Sequence, residues 1–218
     1  MVRQSFDVEL DSLHYDIIRM GSVVEKQIDD CINALINQDE VLANHVIDDD
    51  DIVDKMETDI EEKCIKLIAR QQPLAIDLRK IFTGIKIVTD LERIADHAVD
   101  IAKVTLILKN EKYIKPLIDI PRIAEIAQGM IKDSLDSYVK VDTVMAEEVG
   151  RRDDQIDALY KQVFRELLVI MMQDPTTINQ ATQFLFVCKF LERIGDHVTN
   201  ICEWIVYLVT GEHKDLND

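Results

Sequence analysis

The stretch DLERIADHAVD at residues 90–100 returns, little changed, as FLERIGDHVTN at residues 190–200. Both copies hold the string Leu-Glu-Arg-Ile-x-Asp-His, and both set an acid four residues after the glutamate: Glu92 and Asp96, then Glu192 and Asp196. Four residues are close to one turn of an α-helix, so the two acids of each copy stand about 40° apart on one face. Asp100 carries the first stripe to about 80° from Glu92, whereas Asn200 takes that place in the second.

The repetition reaches beyond these strings. NQDEVLANHVIDDDDIVD (37–54) aligns with KVDTVMAEEVGRRDDQID (140–157), matching Asp39 with Asp142, Asp50 with Asp153 and Asp54 with Asp157, each pair 103 residues apart. The LERIxDH strings are 100 apart, so three residues are lost between them, near QQPLAIDLR and QDPTTINQ. A loop shortens there while the helices keep their register. The chain reads as two tandem copies, residues 1–112 and 113–218, joined by NEKYIKPLIDIP (110–121) with its two prolines.

Each copy predicts three helices. The first spans about 7–38, with Ile17, Met20, Val24, Ile28, Ile32 and Leu35 at the three-or-four spacing of one face, and its counterpart spans about 120–149. The second begins at Asp39 or Asp50 and, in the other copy, at Asp142 or Asp153; Pro73 and Pro175 stop the pair. The third helices span about 74–109 and 179–210. Six Gly and four Pro are too few for the turns of a β fold, and 47% hydrophobic residues suffice for a core. The expected fold is all-α: two tandem, pseudo-symmetric three-helix bundles built from six long helices.

Acids outnumber bases 42 to 25, a net charge of −17. Such a surface repels phosphate backbones and anionic lipid, which argues against direct nucleic-acid binding. No uncharged apolar run of about 18 residues occurs, and MVRQSFDVEL lacks the basic-then-apolar order of a signal peptide. The expected location is the cytoplasm. Cys31, Cys64, Cys188 and Cys202 form no CxxC pair and read as small buried residues in a reducing compartment.

Ile85 and Val99 fall within about 20° of Glu92, and Leu185 and Thr199 within about 20° of Glu192, so the acids border a face that would otherwise be buried. Two like charges about 6 Å apart at an effective dielectric near 20 repel by roughly 3 kcal/mol, and something should offset that. Arg93 and Arg193 point about 100° away from their neighbouring glutamates and read as poor partners within the same helix. Two readings stay open: a solvated acidic face paired with Lys and Arg from another helix or a partner, or a bound multivalent cation. The duplication favours the cation, because a merely solvated face tolerates drift. The second helices offer Asp50 and Asp54, extended by Glu57 and Glu61, and in the other copy Asp153 and Asp157. As antiparallel neighbours of the third helices, they bring these acids to face Glu92 and Glu192. Carboxylate sites suit Mg²⁺, Ca²⁺, Mn²⁺ or iron, and spacing does not choose among them.

His97 and His197 lie about 140° from the glutamates, a placement for the surface or for inter-helix hydrogen bonds rather than ligation. Their five-residue offset from Glu92 and Glu192 argues against the Glu-x-x-His pairs of di-iron oxidases. The sequence has no Gly-rich phosphate loop and no nucleophile elbow. Trp204, Tyr207, Met171 and Met172 read as packing residues.

The doubled LERIxDH strings, the preceding QQPLAIDLRKI and the two-bundle layout together resemble the PhoU family of phosphate-transport regulators. The resemblance runs through almost the whole chain, and Glu92–Asp96 and Glu192–Asp196 match that family's acidic signatures. It implies multinuclear iron or zinc clusters on the carboxylates; Asp100 fits an extended form of the signature, and Asn200, a neutral amide, departs from it. The second site is therefore expected to hold fewer ions, or hold them less tightly. The resemblance further implies a cytoplasmic regulator, not an enzyme, that dampens the phosphate-specific ABC transporter, through its ATPase, and the sensor histidine kinase of the phosphate regulon. The oligomeric state stays open, a homodimer included. Two other classes compete: an iron-storage protein or metal-dependent enzyme on the same carboxylates, and a metal-free helical adaptor.

Overall fold

The three-or-four spacing of apolar residues becomes α1 (Val2–Asn37), whose Leu13, Ile17, Met20, Val24, Ile28 and Leu35 are wholly buried. The computed structural model describes residues 2–71 and 73–216. After α1 come α2 (Glu40–Asp48), α3 (Asp50–Gln71) and α4 (Ala75–Leu108). The second copy repeats the order with α5 (Asp119–Lys140), α6 (Thr143–Gly150), α7 (Asp153–Gln173) and, after one 3-10 turn at Pro175–Thr177, α8 (Ile178–Thr210). The described residues contain no strand, and the fold is all-α, two repeats of three long helices.

Both alternative starts for the second helices are real. Asp39 caps α2 by accepting from the backbone N–H groups of Val41 and Leu42, and Asp142 caps α6 through those of Val144 and Met145. Asp50 and Asp153 then open α3 and α7. The single helix expected over 120–149 is thereby corrected: α5 stops at Lys140, and Val141 turns the chain through the left-handed region at φ 54°. Gln38, its counterpart 103 residues earlier, does the same at φ 53°.

The junction is pinned to both repeats. Gln180 of α8 accepts from the Ile114 N–H at 2.6 Å and donates to Glu111 at 2.8 Å, while the Tyr113 hydroxyl donates to the Leu35 carbonyl at 2.6 Å. The two copies share one continuous core, with α4 packed along α8 and α1 along α5. Gly21 of α1 permits the second contact, since a Cβ there would stand 2.1 Å from Leu135 Cδ1 of α5. All four cysteines are free and buried, and burial pushes the thiols of Cys64, Cys188 and Cys202 up to about 12.

Among the residues read as packing, Met171 lies against the core but Met172 is 83% exposed. The inward face of α7 runs through Val163 and Leu167, and Met172 falls about 140° from Leu167. Trp204 and Tyr207 are half-buried in a surface aromatic cluster. No helix among the described residues is long and apolar enough to cross a membrane.

Candidate functional site

α3 runs alongside α4, and α7 alongside α8, so each repeat sets two acidic stripes side by side. In the first repeat Asp50, Asp54 and Glu57 on α3 meet Glu92 and Asp96 on α4. In the second, Asp153, Asp154 and Asp157 on α7 line one cleft of about 260 Å³ with Glu192 and Asp196 on α8. Eight of the ten candidate ligands thus fall into two clusters at equivalent places.

Crowding shows in their protonation. Burial raises the Glu92 carboxyl to about 7, and Asp96, Glu57 and Asp54 add to the rise against Arg93. Burial likewise raises Asp153 to about 7, helped by Asp196, Asp157 and Glu192. Asp50 and Glu57 move upward for the same first reason, the next contribution coming from Asp54 and Glu61 respectively. A cation entering either cluster would take the place of protons.

Arg93 is a better partner than its angle suggests. Its long side chain curls back, bringing Nε 3.4 Å from Glu92 and Nη1 3.1 Å from Asp96. Lys189 holds Glu192 in the second repeat, and Lys161 holds Asp157 at 2.7 Å. The second cluster is also poorer in acid, because Tyr160 and Phe164 stand where the first repeat has Glu57 and Glu61.

Asp153 is the deepest of these acids. It is 9% exposed, and its Oδ1 has no hydrogen-bond partner among the described residues. Gly195 makes this depth possible: a Cβ there would stand 2.1 Å from that oxygen. The first repeat has Ala95 in the equivalent position and a less buried Asp50.

Two predicted ligands have other partners. Asn200 donates to Asp90 Oδ1 at 3.3 Å across the α4–α8 seam, where the amide caps a buried acid instead of serving a cation. Asp100 lies 3.4 Å from Lys103 and 3.9 Å from His97. His197 makes an inter-helix contact of the kind expected, whereas His97 Nδ1 is buried with no hydrogen-bond partner among the described residues. His197 Nδ1 is 2.9 Å from Asp90 Oδ1, and His97 stacks on Phe190 with ring centroids 5.8 Å apart. Sequence reasoning passed over Asp90. Its signal was the exchange of Asp90 for Phe190 at the head of otherwise matching strings.

The donor chemistry fits a hard cation: all-oxygen acids, an orphaned buried carboxylate oxygen and a cleft of adequate size. The acids border the clefts without converging, and among the described residues no group of three His, Cys, Asp or Glu side chains is already gathered to hold an ion.

A duplicated helical scaffold presenting carboxylate pairs from matching helices defines the class. The PhoU domain matches residues 17–105 and again 120–205, and the chain belongs to the PhoU family. It is 54% identical, over the whole length of both chains, to the phosphate-specific transport system accessory protein PhoU homolog of Clostridium acetobutylicum. Its fold superposes on the crystal structure of PhoU from Pseudomonas aeruginosa with TM-score 0.91 at 38% identity, covering 95% of this chain and 100% of that one. The phosphate transport system regulatory protein PhoU from Streptococcus pneumoniae gives TM-score 0.90 at 31% identity, covering 96% and 99%.

Proposed function

We propose that the protein is a cytoplasmic, non-enzymatic regulator of phosphate uptake that restrains the phosphate ABC transporter and the phosphate-regulon kinase by direct contact. The observation that carries this reading is likeness from end to end: relatives named as accessory and regulatory proteins of phosphate transport align over nearly their entire length. Acidic bundles meeting basic patches on the transporter ATPase and the kinase suit the net charge of −17.

We further propose that iron or zinc loads onto the two clusters, held by Asp50, Asp54, Glu92 and Asp96 in one repeat and by Asp153, Asp157, Glu192 and Asp196 in the other. The ions would neutralise the crowded carboxylates and tie α3 to α4 and α7 to α8. Loading requires side chains to rotate inward, away from Arg93, Lys161 and Lys189. Iron storage is the second reading; the half-buried, few-ligand clusters favour a structural or signalling load over bulk storage.

Deleting the gene and following a phosphate-starvation reporter in phosphate-rich medium tests the regulatory reading. The expected result is a reporter that stays on, and an unchanged reporter overturns it. Elemental analysis of the purified protein against the Glu92→Ala/Asp96→Ala/Glu192→Ala/Asp196→Ala variant tests the ions: equal metal content removes the clusters as their site.

A further inference from the structure

A broad apolar concavity lies away from both acidic clusters. A groove of about 410 Å³ opens where the end of α3, the start of α4 and the end of α8 meet, lined by Ile68, Leu78, Arg79, Phe82, Ile85 and Tyr207. Its walls are apolar and wet: Ile68 is 37% exposed, Phe82 41% and Leu78 43%. Trp204, the one tryptophan of the chain, stands at its edge, 5.7 Å from the Phe82 ring and 5.7 Å from Tyr207.

Two cations rim this groove, in a chain where acids dominate. Arg79 lies over Tyr207 at 5.6 Å, and Lys86 over Trp204 at 5.4 Å and Phe82 at 5.7 Å. Neither has a carboxylate within salt-bridge distance among the described residues. Of the acids nearby, Asp77 sits about 100° or more around α4 from Leu78 and Arg79, and Glu203 accepts instead from the Leu216 N–H at 2.9 Å. The fold does not demand this arrangement. At the pseudo-symmetric positions Arg79, Phe82 and Lys86 are replaced by Asn179, Thr182 and Phe186 of α8, and Trp204 and Tyr207 by Val104 and Ile107 of α4.

We propose that this groove docks an acidic amphipathic helix of a partner protein, its apolar anchors filling the space between Ile68, Phe82 and Tyr207 and its flanking carboxylates pairing with Arg79 and Lys86. Charge complementarity selects the occupant. An apolar helix finds its floor here, and an acidic flank finds two cations that have no acid partner among the described residues. The inference rests on the reading that the chain works by contact, and it adds a second surface of opposite charge to the acidic faces.

Trp204 reports occupancy without a label. The probe is a synthetic helix-forming peptide of about 18 residues, with Leu and Phe on one stripe and Glu on both flanks, titrated against the full chain. Its controls are the same stripe flanked by Lys and the same flanks around a Ser stripe. The expected result is a saturable change in Trp204 emission with the Glu-flanked peptide and binding at least about tenfold weaker for both controls. Arg79→Glu/Lys86→Glu is expected to reverse the preference towards the Lys-flanked peptide, with circular dichroism confirming the fold. Three results overturn the proposal: equal response to Glu and Lys flanks; a response to phosphatidylglycerol vesicles but not to the peptide; or a dimer in sedimentation that Phe82→Ser abolishes while the peptide has no effect. Peptide failure with intact pull-down of the transporter ATPase removes only the groove. Peptide binding without any pull-down removes only the named partners.

Discussion

Asp153 and Glu92 are carboxyls that the fold crowds. Both titrate near 7, first because burial strips water from the charged form and then because neighbouring acids repel it. Their folded values lie above the unfolded references of 3.8 and 4.5. A group raised in this way stabilises the fold while protonated; the contribution is full below the unfolded value and is lost as pH climbs through the folded one. The metal-free protein is therefore expected to lose thermal stability between about pH 4 and pH 7, and a saturating divalent cation is expected to restore it at the upper end. Melting curves in chelator and in excess Mn²⁺ or Zn²⁺ give both halves. A Tm that stays level over that range in chelator means the two carboxyls are not crowded as described. Gly195 explains why Asp153 sits so deep, a role that the difference between LERIADH and LERIGDH announces only once α7 is seen against α8.

The elements were legible wherever one face is apolar over many turns. α1, α4 and α8 end within a few residues of where periodicity and proline place them. The break after α5 was not, because Val141 is a β-branched residue that neither propensity nor turn chemistry marks as left-handed. Its sign was positional: Asp142 repeats Asp39, and both cap the short helix that follows. Holding valine at φ 54° costs about 1–2 kcal/mol, while glycine there forfeits about 0.5–1 kcal/mol of backbone entropy. Val141→Gly should therefore stabilise the protein by roughly 0.5–1 kcal/mol, a rise in Tm of about 1–4 °C. Gln38→Gly should instead lose stability, since its side-chain amide donates to the Leu108 and Glu111 carbonyls at 2.7 and 2.8 Å and glycine forfeits both bonds. Differential scanning calorimetry reads both, and a drop for Val141→Gly means that something other than conformation holds the turn.

At the scale of the whole molecule the duplication was plain, and so were the two acidic clusters, because both follow from residues a fixed distance apart. The way the copies join was hidden. Which residues of α4 meet α8 depends on helix rotation and offset, so the pairing of His197 and Asn200 with Asp90 could not be read from spacing. The join is extensive. Tyr138 belongs to the second repeat, yet it is 3% exposed and its ring lies 5.2 Å from that of His14 in the first, while Leu135 fills the space above Gly21. A half-chain of 1–112 or 113–218 would leave these faces open to water, and one core this continuous has no plane along which to part. The intact chain should accordingly melt in a single calorimetric transition, the halves should be helical without a cooperative transition, and mixing them should recover it. Tyr138→Ala provides the sharper check. Removing a buried aromatic costs about 3–5 kcal/mol and should lower that single transition as a whole. Two separated transitions, with only one of them displaced, would mean that the repeats are independent bodies that merely touch.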